Sequence, residues 1–81
     1  MQTLYDERYR KLIQLLKDKR KELGWTQTEA AKKLGFKSRS VLVRIEQGQR
    51  RLDLIEVHHI CQVYGIRFSS LERILANEER P

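Results

Sequence analysis

The stretch Ser38-Arg39-Ser40-Val41-Leu42-Val43-Arg44-Ile45-Glu46-Gln47 holds the side chains of this chain best suited to chemistry, and that chemistry is recognition rather than bond breaking. At a helical period, Ser38, Val41, Leu42 and Ile45 share one face. Ser40, Val43, Arg44 and Gln47 share the opposite face, with Arg39 at the leading turn. An arginine fork can donate two hydrogen bonds to guanine O6 and N7, worth about 1–3 kcal/mol of discrimination against the wrong base. Ser40 can donate or accept and so tolerates several bases, while Val43 can touch a thymine methyl group. A helix showing such groups at its N-terminal end fits a DNA major groove. Arg39, Ser40, Val43 and Arg44 are the candidate base readers, against the plainer reading of a solvated helix face.

Charge placement supports the same partner. The formal net charge is +6 over 81 residues, and a basic balance alone says little about partners. Lys37, Arg39, Arg44, Arg50 and Arg51, however, fall in one stretch whose only acid is Glu46. Asp6, Glu7, Asp53, Glu56, Glu72, Glu78 and Glu79 lie elsewhere. Lys37, Gln49, Arg50 and Arg51 are candidate phosphate contacts, which fix position and set the salt dependence without reading sequence.

Other chemistries fit poorly. His58, His59 and Cys61 suggest a metal, but adjacent helical positions point about 100° apart and do not converge on one ion. Ser38, Ser40, Ser69 and Ser70 have no arranged base, and so small a domain forms no deep cleft, so no enzyme and no cofactor is expected. The lone Cys61 allows no intramolecular disulfide and fits a reducing cytoplasm. The start, Met1 to Asp6, is too polar for a signal peptide, and no apolar run is long enough to span a bilayer.

The elements that must position these groups are helical throughout, with no period-two alternation and no repeat. Gly24, Gly35, Gly48 and Gly65 each follow a periodic apolar segment and mark helix ends. A first helix is expected over residues 4–23, capped by Thr3, with Leu12, Leu16, Arg20 and Leu23 on one stripe. Thr26 and Glu29 form a capping box for the second helix, where Trp25 can staple onto Ala30 and Ala31 and Leu34 face inward. The third helix covers residues 38–47 and leads into a loop at 48–52. Asp53 and Glu56 open a fourth, with Leu54, Val57, Ile60, Cys61 and Tyr64 buried. Ser69 and Glu72 open a short fifth, with Leu71, Ile74 and Leu75 inward. The expectation is an all-α, compact five-helix bundle in one domain, residues 1–81. Residues 1–11 extend the first helix, and residues 76–81 form a frayed tail.

Between residues 12 and 75 the chain resembles the phage repressor and Cro type of helix-turn-helix domain, the XRE-like regulators with the lambda repressor-like fold. The residues that carry the likeness are Arg20, Gly24, Trp25, Thr26, Gln27, Ala31, Gly35, Arg44, Ile45, Glu46 and Gly48, in that order, followed by Gln49 to Leu54. The resemblance implies that Gln27 bonds a phosphate and braces the recognition helix. It also implies that Arg20 and Glu46 form a partly buried, structural ion pair. The segment between Gly35 and Gly48 is one residue longer than the family pattern, around Phe36-Lys37. Counting forward from Gly35 without a gap would bury Arg44. Counting back from Glu46 places Leu42 and Ile45 inside and Arg44 outside, and avoids burying a charge.

The resemblance implies a cytoplasmic, bacterial or phage-encoded regulator of transcription acting at the nucleoid. It is expected to be a repressor binding double-stranded DNA as a homodimer on a near-palindromic operator. Half-sites one turn apart, roughly 34–36 Å, would place both recognition helices on one side of the duplex. Two alternatives stay open. One is an antitoxin-type regulator whose N-terminal helix, with Tyr5, Tyr9 and Leu12, also binds a toxin-like protein; the other is a protein-interaction module that has lost DNA binding. A regulatory appendage of an enzyme would need further chain. No small-molecule pocket is evident.

Overall fold

The architecture, taken from a computed structural model, is described for residues 6–76. Its helices are α1 (Glu7–Glu22), α2 (Gln27–Leu34), α3 (Arg39–Glu46), α4 (Leu54–Tyr64) and α5 (Leu71–Leu75). A 3-10 turn at Phe68–Ser70 precedes α5, and the described residues contain no strand. α1 starts later than the sequence pattern suggests. Asp6 is its N-cap, accepting from the Arg8 backbone N–H at 2.8 Å and from Arg8 Nη2 at 2.7 Å. An aspartate there satisfies an orphan N–H and complements the helix dipole. The side-chain bonds from Arg8 hold the Asp6 carboxyl down at about 2. The expected cap, Thr3, lies outside the described residues with Leu4 and Tyr5.

α2 and α4 begin with complete capping boxes, Thr26 with Glu29 and Asp53 with Glu56, each pair bonding reciprocally through side chain and backbone. α5 has no side-chain cap. Ser69 lies inside the 3-10 turn, and the chain passes from that turn directly into the helix. Only Leu71 of α5 is fully buried; Ile74 is half-buried and Leu75 is exposed.

The turn between α2 and α3 sets the geometry of the pair. Gly35 takes φ +81°, donating its N–H to Lys32, while the Phe36 N–H reaches back to the Ala31 carbonyl at 3.0 Å. This closure needs a residue without a Cβ penalty in the left-handed region. Phe36 then packs half-buried against the core, and Lys37 stays exposed. The additional residue is thus absorbed before α3 begins.

Leu12 and Leu16 of α1, Leu34 of α2, Leu42 and Ile45 of α3, and Ile60 and Tyr64 of α4 meet in one core. Ala30 and Ala31 are also buried, and their small side chains let α2 pack closely on α3. Besides Leu75, three residues of the expected inner faces lie outside the core. Ser38 is exposed because it is the N-cap, in extended backbone at φ −154°, where the helical wheel does not apply. Leu23 is exposed at the C-cap of α1, beyond the last packed turn. Leu54 is 68% exposed, because α4 meets the core only from Val57 onward.

Tyr64 lies 2% exposed, with the Trp25 ring edge-on at 5.8 Å, and Lys33 sits over that indole. Burial, with the nearby Glu46 carboxylate, pushes the Tyr64 phenol up to about 12. The folded state therefore favours the neutral phenol. This contribution is complete below the unfolded value near 10 and is lost as pH rises toward 12, by up to about 1.4 kcal/mol per pH unit. Urea unfolding followed from about pH 8 to 11.5 should show that decline, and Tyr64→Phe should make it shallower by about one proton. An unchanged slope in the variant would contradict the assignment.

Candidate nucleic-acid interface

A chain of side-chain bonds runs from the interior to the leading edge of α3. Arg20, at the end of α1, donates from Nε to Glu46 Oε2 at 2.8 Å and from Nη2 to Glu46 Oε1 at 3.2 Å. Its Nη1 donates to the Trp25 carbonyl at 2.9 Å. Glu46 Oε1 also accepts from Gln27 Nε2 at 2.9 Å, and Gln27 Oε1 accepts from Arg39 Nη2 at 3.1 Å. A carboxylate only accepts and a guanidinium only donates, so the Gln27 amide has a single orientation that satisfies both neighbours. Arg20 and Glu46 are 7% and 8% exposed, the buried charged residues of the described chain.

This network fixes the roll of α3. Glu46 is drawn inward at its C-terminal end, and Leu42 and Ile45 lie in the core on the same side. Arg39, Ser40 and Arg44 are left exposed and Val43 half-buried. The register counted back from Glu46 is the one the fold adopts. Ser40 Oγ lies 2.8 Å from Ser38 Oγ, so two hydroxyls sit together at the N-terminal end of α3.

The flanking cations divide into two kinds. Lys37 and Gln49 are exposed beside α3. Arg50 pairs with Glu56, donating from Nη2 at 2.8 Å and from Nη1 at 3.4 Å. The Arg50 fork lowers the Glu56 carboxyl below its usual range. Arg50 thus ties the loop to the first turn of α4. The Arg51 guanidinium lies 4.4 Å from the Tyr9 ring centre, and the Tyr9 hydroxyl accepts the Leu52 N–H at 3.0 Å. Tyr9 therefore braces the loop, and Leu12 is core, so two residues of the candidate partner surface on α1 are engaged within the chain. Tyr5 lies outside the described residues.

Three links were hidden at the sequence level. Gln27 is expected to brace the recognition helix, but its particular partners, Glu46 and Arg39, are not legible in the residues. Arg50 gives no sign of its carboxylate partner, although its six-residue spacing from Glu56 crosses only one loop. Nothing marks Tyr9 as a support for residues 51 and 52. A hollow of about 450 Å³ lies between α1 and the end of α3, lined by Arg10, Gln14, Gln47 and Gly48 among others.

His59 Nε2 lies 2.9 Å from the Leu34 carbonyl, and His58 meets the Phe68 ring edge-on at 5.3 Å. Cys61 is buried, which pushes its thiol up. The two imidazoles have separate neighbours, and the described residues hold no cluster of three metal-binding side chains. No helix among them is long and apolar enough to cross a membrane.

Two short helices joined by a glycine turn, with a basic outer face on the second, define a helix-turn-helix module. The helix-turn-helix family profile matches residues 16–71, spanning α2, α3 and both members of the buried ion pair. The chain belongs to this family in its XRE, Cro and repressor-type branch, which comprises DNA-binding regulators and is not typically enzymatic. No curated relative and no solved structure gives a significant match.

Removing one member of the ion pair strands a charge in the interior. Glu46→Ala should lower unfolding free energy by about 3–5 kcal/mol in urea titrations. Gln27→Ala should cost only about 1 kcal/mol, since the pair itself survives. Equal losses for both variants would contradict this division of roles.

Proposed function

We propose that this DNA-binding regulator is sequence-specific, and that it represses transcription by occupying a near-palindromic operator as a homodimer. α3 enters the major groove from its N-terminal end. Arg39 and Arg44 donate to guanine edges, Ser40 makes an adaptable polar contact, and Val43 meets a thymine methyl group. Lys37, Gln49 and Arg51 contact phosphates on either side, while Arg50 shapes the loop that presents Arg51. Gln27 stands at the start of α2, where the helix dipole favours an anion, and so serves a phosphate while holding Arg39.

The observation that carries this reading is the bond from Gln27 to Arg39. A guanidinium used only for solubility has no need of an anchor leading back to a buried ion pair. A guanidinium that must meet a base edge gains from being held in place, since less freedom is lost on binding.

Selection of bound sites from a random duplex pool at about 0.15 M salt tests the reading, because specific and non-specific binding differ by about 10³–10⁷ at such salt. A symmetric motif is expected; recovery of unselected sequence would refute it. Arg44→Ala should relax one base position in each half of the motif by about 1–3 kcal/mol. Arg51→Ala should weaken all sequences about equally and lower the salt slope by about one. A uniform loss from Arg44→Ala would remove that residue from the base readers.

A further inference from the structure

A hollow of about 550 Å³ lies on the flank of α1 that faces α5. Leu15, Lys19 and Glu22 line it from α1, at i, i+4 and i+7. Ile66 and Arg67, in the link after α4, and Arg73 and Ile74 of α5 line the other side. Leu15, Ile66 and Ile74 are each half-buried and form an apolar floor. Gly65 and Ser70 stand at its edge with side chains too small to cross it, so the groove stays open.

Charge selects the occupant. Glu22, the one acid among the lining residues, already pairs with Lys19 at 2.9 Å. Glu72 lines the neighbouring hollow, not this one. Arg67 and Arg73 are exposed and have no ion-pair partner among the described residues. Two uncompensated guanidinium groups therefore stand over an apolar floor, and each can take a carboxylate through two parallel hydrogen bonds. A DNA phosphate gains nothing from such a floor, and no residue of α2, α3 or the loop at 48–52 lines the groove. A second copy carries the same net charge of +6 and is repelled. A flat lipid surface does not reach a recessed floor, whereas the side chains of a helix do.

We infer that this groove docks an acidic amphipathic helix of a partner protein. Its apolar side chains rest on Leu15, Ile66 and Ile74, and its carboxylates meet Arg67 and Arg73. The groove lies apart from Tyr9 and Leu12 of α1, which are engaged within the chain. α3 takes no part in it, so the regulator can hold this partner and DNA at once. So few side chains offer much less than the about 800 Å² per partner of a standard stable interface, and the contact is weak and transient.

Nuclear magnetic resonance of the isotope-labelled chain, titrated with a synthetic peptide, reads this docking without DNA. The probe is a helical peptide with leucine at i, i+3, i+4 and i+7 and glutamate at its other positions; a control carries lysine in place of glutamate. Shifts centred on Leu15, Ile66 and Ile74 are expected with the acidic peptide alone, and adding a DNA duplex should leave them in place. Arg73→Glu should weaken the acidic peptide about tenfold and admit the lysine peptide instead, which a misfolded chain would not do. Ser70→Trp, which fills the groove without changing its charge, should abolish the shifts while the thermal melt stays unchanged. Absence of shifts, equal shifts with both peptides, or displacement by the duplex overturns the inference. So does a response to dilution, which marks a second copy, or a response to phosphatidylglycerol vesicles in place of the peptide. Failure of the operator reading is separable: peptide docking would persist while site selection returned no motif.

Discussion

The ion pair between Arg20 and Glu46 is the constraint on which the rest of the structure depends. Taking two charges out of water costs several kcal/mol each, and their mutual attraction offsets this only when geometry and further hydrogen bonds are favourable. Here both conditions hold. The contact is two-pronged, the Trp25 carbonyl takes a third guanidinium donor, and Gln27 supplies a further donor to the carboxylate. Among the described residues no buried side-chain nitrogen or oxygen lacks a partner. The pair has one satisfactory arrangement, and that arrangement fixes where the last turn of α3 must lie.

α3 needs such an anchor. It spans eight residues, too short to be stable alone in water, and its Ser38 cap makes no side-chain bond. Its position is set at three points. Leu42 and Ile45 fix the inner face through the core. Glu46 fixes the C-terminal end through Arg20. Gln27 reaches from Glu46 to Arg39 and so links the two ends of the helix. The loop that follows is secured independently, by Arg50 on Glu56 and by Tyr9 beneath residues 51 and 52. A basic surface results whose cations are carried on fixed backbone.

Much of this was legible in the residues alone because it follows from local rules. The capping boxes at Thr26 and Asp53, the glycine closures and the apolar spacing of Leu42 and Ile45 each depend on neighbours within a turn or two. The longer turn at Phe36 was resolved by one physical criterion, the cost of burying Arg44. Where periodicity was carried past a helix end it failed: Ser38 and Leu23 are cap residues, and Leu54 precedes the packed part of α4. The pairings of Arg50 with Glu56, Tyr9 with Leu52 and Gln27 with Arg39 join separate elements, and periodicity carries no information about such contacts.

The central claim is that the buried pair holds still while the outer edge of α3 does the binding. Nuclear magnetic resonance of the arginine Nε–Hε groups, recorded as a DNA duplex is added, tests it most directly. The Arg39 and Arg44 signals should shift and broaden while the Arg20 signal stays in place. A shift centred on Arg20, or on the cations of α1 with Arg39 and Arg44 unmoved, would contradict it.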